Sequence, residues 1–584
     1  MKRFIMALFI TVLVVGIFLG SCGEPEETTT APTTAPTSAP TSAPTSAPTS
    51  APTSAPTSAP TSAPTVTPQY GGVLRMITPM DPTVLGYPAE SAGRATYYQY
   101  AILERMIIYA PDVWQNQNYQ GILATSYTFE NDMKTWTFQL REGVKFHDGT
   151  DWNASAAKWN FELRKEAGNS TTFNSMESCN ILGPHTVQIN FSSPANTFEV
   201  ELATGIYFIS PTSFENAGTT QEERIDWARG HPVGTGPFKF VEAILGDHVT
   251  YERFDDYWAG KPYLEGVKFI IVPDATTSKN MMIAGEADAY IYSEFKETLE
   301  LEAMDGFYAR YCKHHTPEGI WPAALEPDSH MYDKKVREAI EYAIDREAII
   351  AAISLGSPEV EIMYQAPIPG DPAYRPDFGR HYDLNKAKQL MREAGLENGF
   401  ETTIYVRSIT GRWADMALFV QAMLAEIKIT VNIEMINPGQ YMTYLLFGWP
   451  ADTLFISGIP NEPISNFVAA RDYACSPAGV PKWNYSTVQT PEMCALWNEL
   501  KAATSPEATR AAYVALSHQA MDDVVGIYMM DWPDTAVFAD YVHSDWIAYS
   551  RHHRFPALYW NTSCIPYRGN WILDREFIDI EDFY

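Results

Sequence analysis

Cysteine is scarce in this 584-residue sequence, and its spacing excludes several kinds of site. The six cysteines are Cys22, Cys179, Cys312, Cys475, Cys494 and Cys564. No two of them have the C-x-x-C spacing that is typical of structural zinc or thiol-redox sites. Cys475 and Cys494 are the nearest pair, and a disulfide there would stabilise the fold by about 3 kcal/mol through loop entropy. The sequence alone leaves the pairing open.

Signatures of catalysis are also missing. The sequence contains no G-x-S-x-G elbow, no H-E-x-x-H pair and no Walker loop. The pair His147-Asp148 lies between glycines, which favours a turn over a catalytic pair. The adjacent histidines at 314–315 and 552–553 favour surface positions, because neighbouring histidines rarely point at one metal ion. We therefore expect no enzymatic activity, no metal and no cofactor.

Basic residues are outnumbered by acidic ones. The chain has 41 Lys and Arg against 71 Asp and Glu, which gives a formal net charge of −30. Such a surface repels nucleic acid and anionic lipid headgroups, so neither is an expected partner. Attraction of a cationic ligand is an alternative, but an acidic surface that maintains solubility is the favoured interpretation.

Only one long hydrophobic run is present, and it lies at the N-terminus. Lys2 and Arg3 precede an apolar stretch at 4–20, which has the order of a secretory signal. A stretch of this length is short of the roughly 20 residues of a spanning helix. Small residues then lead into Cys22, which resembles the lipobox of bacterial lipoproteins. We predict a signal peptide over 1–21 and a lipid on Cys22 as the sole attachment to the outer face of the cell membrane.

A repetitive segment follows the predicted lipid site. An Ala-Pro-Thr-Ser period occupies about 31–65, without any large apolar side chain. Its prolines favour extended polyproline II, and 45 such residues reach roughly 140 Å at about 3.1 Å per residue. The sequence therefore predicts a disordered stalk over 22–68 ahead of a folded body.

The body shows the alternation of helices and strands that is typical of an α/β protein. Alternating apolar residues predict a half-buried strand over 135–140, and Asn153 is a candidate N-cap for the helix after it. Strands are predicted over 238–241, 248–253, 267–272 and 429–435, and helices over 333–352 and 416–427.

Six segments together resemble the family 5 extracellular solute-binding proteins, the receptors of peptide, nickel and related ABC importers. The most specific reads WTFQLREGVKFHDG at 136–149. The others, in the same order as in the family, are GTGPF at 234–238, FDDYWAGKPY at 254–263, GEAD at 285–288, DKKVREAI with AIDR at 333–346, and YDLNKAKQL with EAG at 382–395. The motif residues themselves favour turns, caps and core contacts, with Gly143, Gly149 and Gly236 suited to special backbone angles.

The resemblance implies an α/β fold of the two-lobed periplasmic-binding-protein type II class, in the cluster that has an additional domain. Lobe I is expected to comprise 69–115, 231–325 and 530–584, the additional domain 116–230, and lobe II 326–529. Crossovers between the lobes are expected near 318–330 and 525–535. The implied partners are a small-molecule or peptide ligand and the permease and ATPase subunits of an importer, with the receptor itself a monomer.

Aromatic and polar residues near these crossovers are candidate ligand contacts, because clefts for small molecules combine aromatic walls with a few polar groups. The candidates are Trp321, Arg412, Trp413 and Trp532. Core packing is the alternative for each tryptophan.

The segment at 454–463 resembles the cleft loop of oligopeptide receptors in this family, which reads Gly-Trp-x-x-Asp-x-x-x-Pro. Aligned on Asn461, Glu462 and Pro463, it places isoleucine at the positions of the tryptophan and of the aspartate that holds the peptide α-amino group. The second of these is Ile459. Backbone groups of Ser457 and Gly458 remain available, but the charged anchor is absent.

Two functions from different classes follow. The first is a lipid-anchored receptor that captures a solute by lobe closure and delivers it to an ABC importer. The second is a surface adhesin or glycan-binding protein that kept the fold without a transporter. The long stalk suggests this alternative. A hydrolase is a distant third.

Overall fold

The structure, a computed structural model, describes residues 70–82, 84–90, 96–109, 119–168, 170–312, 317–369, 371–408, 411–458, 475 and 487–542. The predicted signal peptide, the stalk and Cys22 lie outside the described residues, as do Ile459, Asn461 and Glu462 and both pairs of adjacent histidines.

Nineteen strands occur within these ranges. In chain order, β1 to β19 are Val73–Thr78, Ile107–Tyr109, Tyr119–Gly121, Ala124–Glu130, Thr135–Leu140, Met176–Gly183, Thr186–Phe191, Phe238–Ile244, His248–Arg253, Gly266–Ile271, Ala289–Ile291, Phe307–Cys312, Pro317–Pro322, Glu361–Ile362, Glu401–Arg407, Thr430–Ile436, Thr453–Gly458, Ile527–Asp531 and Asp534–Ala539.

Fifteen α-helices are described alongside these strands. In chain order, α1 to α15 are Thr96–Gln99, Ala154–Glu166, Thr171–Asn174, Phe198–Thr204, Pro211–Asn216, Gln221–Gly230, Ala275–Ile283, Phe295–Glu302, Lys334–Ala343, Arg346–Ile353, Leu384–Glu393, Gly411–Ala425, Pro438–Phe447, Pro491–Ala502 and Pro506–Asp522. None of the helices in the described part of the chain combines the length and the apolar character that crossing a membrane requires.

The described strands form two large sheets, a four-stranded sheet and the two-stranded sheet β2-β3. The first large sheet has the order β12-β19-β11-β1-β10-β9-β8, and the second has the order β14-β18-β13-β17-β15-β16. A four-stranded antiparallel sheet, β4-β5-β7-β6, lies between β3 and β8 in the chain. One apolar core combines residues of the first sheet with residues of the four-stranded sheet. A second core fills the second sheet and its helices and also includes Phe295 of α8.

The chain passes from the first sheet to the second and back at two adjacent places. Cys312 at the end of β12 pairs with Asp534 at the start of β19, and Pro317 at the start of β13 pairs with Asp531 at the end of β18. The return crossover at 531–534 falls within the predicted range. The outward crossover at 312–317 comes before the predicted 318–330, so β13, which we had assigned to lobe I, pairs in the second sheet. The remaining lobe boundaries stay predictions.

Local elements agree closely with the sequence patterns. Strand β5 buries Trp136 and Phe138, and Asn153 caps α2 by accepting hydrogen bonds from two backbone N–H groups. The predicted helix over 333–352 is two helices, α9 and α10. The Asp345 side chain accepts from the Ala348 N–H at 3.0 Å, and this N-cap starts a new helix where the apolar pattern alone suggested continuity.

Candidate functional site

Polar side chains gather at the edge of the second sheet that faces the first. Strands β15, β16 and β17 are parallel, so their carboxyl ends meet at one edge. Both crossovers pass through that same edge, because β13 begins there and β18 ends there. In open α/β sheets, the carboxyl ends of strands are where ligands bind. Arg407, Ser457 and Gly458 occupy this edge.

Glu318 is at the centre of this edge. It is the second residue of β13, pairs with Gly458 of β17 and is only 5% exposed. One of its carboxylate oxygens, Oε2, accepts from Arg412 Nε at 3.0 Å and from Trp413 Nε1 at 2.9 Å. The other, Oε1, accepts from Arg412 Nη2. Glu318 therefore receives a two-pronged arginine contact and an indole N–H together.

Arg412 and Trp413 reach Glu318 from the first turn of α12. The Arg412 side chain keeps 26% of its surface exposed, whereas Trp413 is buried. Trp532, in the return crossover, lies against the Arg412 guanidinium, whose central carbon is 5.0 Å from the ring centroid. Its ring also packs on Phe295 of α8, at a centroid distance of 5.0 Å. Trp532 thus contacts side chains from both halves of the molecule.

A second arginine, Arg407, lies against the Trp413 ring. The central carbon of the Arg407 guanidinium is 4.9 Å from the Trp413 ring centroid and 5.3 Å from that of Tyr441. The Tyr441 hydroxyl in turn lies 2.5 Å from Ser457 Oγ. The predicted residues Arg412, Trp413, Ser457, Gly458 and Trp532 are therefore brought together by one cluster.

Trp321 is placed elsewhere. It is fully buried, and its ring packs against Tyr528 in an apolar cluster of the second sheet. A Cβ added at Gly319 or at Gly526 would meet this ring at 2.7 or 2.5 Å, so the two glycines make room for it. The structure thus gives Trp321 the core position that was its alternative, with no exposed surface for a ligand.

Sequence reasoning missed Glu318, Arg407 and Tyr441. No local pattern marks them, because their position in the cluster depends on pairing between β13 and β17 and on the packing of α12 and α13.

A disulfide joins Cys475 to Cys494 of α14, with the two Cα atoms 5.2 Å apart. This is the pair that lies nearest in the sequence, and the bond fixes position 475 to α14.

The facing edge of the first sheet carries a cluster of hydroxyl groups. Ser293 follows the carboxyl end of β11, and Thr535 lies at the start of β19. Ser293 Oγ lies 2.6 Å from Thr298 Oγ1 and donates to Thr535 Oγ1 at 2.9 Å. All three residues are buried, which favours a role in holding the return crossover against α8.

A cavity of about 590 Å³ lies beside the return crossover. It extends from Asp531, the last residue of β18, along β14 and the segment after it. Its wall includes Glu361, Tyr364, Tyr374, Phe378 and His381. The volume is within the range of small-molecule pockets. No cluster of His, Cys, Asp or Glu in the described ranges is arranged to hold a metal ion.

The motif residues serve the fold, as predicted. His147 Nε2 lies 2.9 Å from the Gly236 carbonyl oxygen, and Asp148 accepts hydrogen bonds from Ser210 and Ser213. The turn of the longest motif is therefore fixed to the GTGPF motif, and the histidine–aspartate pair has structural partners.

The glycines of these motifs differ in their roles. Gly143 and Gly149 have φ angles of +76° and +85°, as expected. Gly236 does not have a positive φ; a Cβ there would lie 2.8 Å from the Ala101 carbonyl oxygen, so it is close approach that requires glycine.

A third motif meets the second at a buried carboxylate. Glu104 is fully buried and accepts from Thr235 Oγ1 at 2.8 Å, from the Tyr257 hydroxyl at 2.7 Å and from Trp258 Nε1 at 2.9 Å. Thr235 belongs to GTGPF and the two aromatic residues to FDDYWAGKPY. The Glu104 carboxylate thus joins the second and third motifs to each other.

Comparison with known proteins identifies the family to which this architecture corresponds. A family model described as bacterial extracellular solute-binding proteins, family 5, middle region, matches residues 118–460. The glutathione-binding proteins GsiB of Shigella flexneri and of Escherichia coli strain K12 are each 30% identical over 340 residues, which are 55% of this chain and 62% of theirs. The match therefore spans less than two thirds of these relatives.

Solved structures share the fold. DppA from Helicobacter pylori in complex with the peptide STSA has a TM-score of 0.69 at 22% identity, covering 83% of this chain and 98% of that one. NikA from Brucella suis in complex with Fe(III)-EDTA has a TM-score of 0.71 at 22% identity, covering 81% and 96%. The predicted two-lobed binding-protein fold is confirmed, and so is the expected family, which consists of binding proteins rather than enzymes.

Proposed function

Because this chain belongs to family 5 of the bacterial extracellular solute-binding proteins, we propose that it is a lipid-anchored receptor that encloses a small solute between its two lobes and delivers it to the permease and ATPase of an ABC importer. One observation carries the proposal: the polar cluster around Glu318 lies at the sheet edge through which both crossovers pass. A ligand at this edge contacts the parts of the chain that join the lobes.

Closure follows from the connection between the lobes. Two adjacent crossovers join bodies that each have an apolar core, so we propose rotation at 312–317 and 531–534, which moves the contact that Phe295 of α8 makes with the second core. A ligand that touches both lobes binds the closed form better and shifts the population toward it. Trp532 lies within the return crossover and contacts Phe295 and Arg412, so its environment changes when the lobes rotate.

The lipid anchor rests on the N-terminal sequence. We expect Cys22→Ala to release the protein from membranes, because no other part of the sequence has an apolar run of spanning length. The measurement is fractionation of cell membranes after a high-salt wash, with the unsubstituted protein as control. A variant that stays in the membrane fraction contradicts the anchor. Stable attachment requires two or more acyl chains on the mature N-terminus.

The nature of the solute is also a proposal. The relatives are named for glutathione, and the similar structures hold a peptide and a metal chelate, so a peptide-like or other small polar solute fits this family. Backbone groups at Ser457 and Gly458, the partly exposed Arg412 guanidinium and the cavity beside Asp531 offer contacts for it.

We expect no binding of ordinary peptides through a free N-terminus. An ammonium group in a closed cleft needs a carboxylate partner, since an unpaired buried charge costs several kcal/mol. Ile459 stands where the oligopeptide receptors have that carboxylate. Calorimetric titration with a pool of two- to five-residue peptides checks this. Micromolar binding that is abolished by N-acetylation contradicts the prediction and points to Glu462 or to an acid in the other lobe.

The test of the function is native mass spectrometry of the protein isolated from its own cells. A receptor should carry a co-purified solute, and disruption of the gene should abolish uptake of that solute. A protein without any small ligand, with normal uptake in the mutant and with binding to glycans or cell surfaces, would instead be an adhesin.

A further inference from the structure

The Arg412 guanidinium could bind the carboxylate of a ligand, but its two parallel donors already bind the Glu318 carboxylate. A guanidinium that offers two parallel donors is the usual partner of a carboxylate ligand. Here Nε and Nη2 of Arg412 both donate to Glu318, and the indole N–H of Trp413 donates to the same group at 2.9 Å. All three donors thus hold a carboxylate of the protein itself.

Glu318 cannot easily leave this position. Its backbone is held on both sides, since β13 pairs with β17 and with β18. The side chain is 6% exposed, against 26% for that of Arg412. A ligand carboxylate that displaced it would leave Glu318 as a buried charge without its partners, which is strongly unfavourable.

We propose that Glu318 determines specificity: it occupies the anion position formed by Arg412 and Trp413, and so restricts the solute to one that presents a neutral or cationic group at this part of the cleft. The inference rests on the proposed function and narrows its substrate class. The charge of Arg412 is then neutralised by Glu318, and its guanidinium packs on Trp532, with its central carbon 5.0 Å from the ring centroid. Arg412 thus lines the cleft without anchoring an anion.

Two matched probe pools test this with the mature full-length chain. Both contain the same N-acetylated tripeptides, one with free C-terminal carboxylates and the other with C-terminal amides. Binding is read by native mass spectrometry and calorimetry. The unsubstituted protein should bind the amide pool at least tenfold more tightly than the carboxylate pool. Equal binding, or a preference for carboxylates, overturns the inference without a variant and leaves the receptor function standing.

Glu318→Gln keeps the shape of the side chain but leaves the Arg412 charge uncompensated. It should bind the carboxylate pool and shift the ratio toward carboxylates at least tenfold. Adding Arg412→Gln should reverse the shift, which a merely structural role of Glu318 would not produce. Glu401→Gln removes the same charge at the far end of β15 and should leave the ratio unchanged.

A Glu318→Gln protein that folds, by circular dichroism, and gains no carboxylate binding overturns the inference. Glu318→Ala, which opens space beside Arg412, should shift the ratio in the same direction. Absence of a co-purified solute from the unsubstituted protein would count against the receptor function itself, so the two failures are distinguishable.

Discussion

Replacing Arg346 with methionine is expected to lower the free energy of unfolding by about 3–5 kcal/mol, the range found when one partner of a buried ion pair is removed. Arg346 and Glu341 expose only 1% and 2% of their side chains, and Arg346 Nη2 donates to Glu341 Oε1 at 2.9 Å. Without Arg346, the Glu341 carboxylate loses its closest partner in the second core.

Arg346 also supports the strand that leads into the return crossover. Its Nε donates to the Tyr528 carbonyl oxygen of β18 at 2.6 Å, and its guanidinium lies over Tyr364 of the cavity wall at 4.8 Å. Burial raises the pKa of Glu341 and lowers that of Arg346, so desolvation outweighs the attraction between them. The pair is therefore costly to bury, and without Arg346 the Glu341 carboxylate keeps the more distant Arg380, whose Nη1 donates to Oε2 at 3.2 Å.

Urea unfolding followed by circular dichroism measures the effect. Lys145→Met is the control, because it removes an exposed, solvent-screened pair with Asp151 and should have a much smaller effect on stability. Glu341→Gln in the Arg346→Met background should recover part of the loss, since the buried charge is then gone. A cost of the same size as that of the control would contradict the structure of this core.

The second large effect is a loss of stability in acid that depends on His147. Burial lowers its pKa to about 4 from an ordinary value of 6.5. The ring is neutral, with Nε2–H donating to the Gly236 carbonyl oxygen and Nδ1 accepting from the Gly234 N–H. Protonation at Nδ1 would place two N–H groups against each other. The nearby charges of Lys239 and Asp148 act in opposite directions.

The sign follows from the two pKa values. Above pH 6.5 the ring is neutral in both states, so the folded protein has its full stability. As the pH falls from 6.5 to about 4, only the unfolded chain takes up the proton, and stability falls by about 3 kcal/mol in total. Asp371, whose pKa burial raises to about 6, contributes in the opposite direction over part of this range.

A comparison of two variants separates the contribution of His147 to the pH dependence of stability from that of other groups. His147→Gln should be less stable than the unsubstituted protein at pH 7, since packing against Phe254 is lost, but its stability should change less between pH 6.5 and 4. His231→Gln, at an exposed position, should retain the full change. Parallel pH profiles for His147→Gln and the unsubstituted protein would show that His147 does not titrate as inferred.

Much of the fold was accessible from the sequence because its signals are local. Strand β5 buries Trp136, Phe138 and Leu140 on the predicted face. Asn153 and Asp345 each start a helix through their own hydrogen bonds. The second of these was missed because the apolar pattern ran through it. A cap depends on a single side chain, so its signal is easily overlooked in a sequence whose apolar periodicity continues through it.

The site was accessible only in part, because it depends on long-range pairing. Arg412 and Trp413 are conspicuous in sequence, but the carboxylate that binds both is 94 and 95 residues away in the chain. The choice of sheet for β13 is likewise settled by its partners β17 and β18, which placed the outward crossover earlier than predicted. Composition cannot separate a tryptophan at the return crossover, such as Trp532, from one inside a sheet core, such as Trp321.

Closure of the two lobes on a solute can be measured by small-angle X-ray scattering of a chain that begins near residue 69. The measurement uses the solute found by mass spectrometry, at saturation, against the ligand-free protein. We predict a smaller radius of gyration with solute, because rotation at the two crossovers brings the lobes together. An unchanged scattering curve at saturation would contradict closure and indicate a rigid binding site.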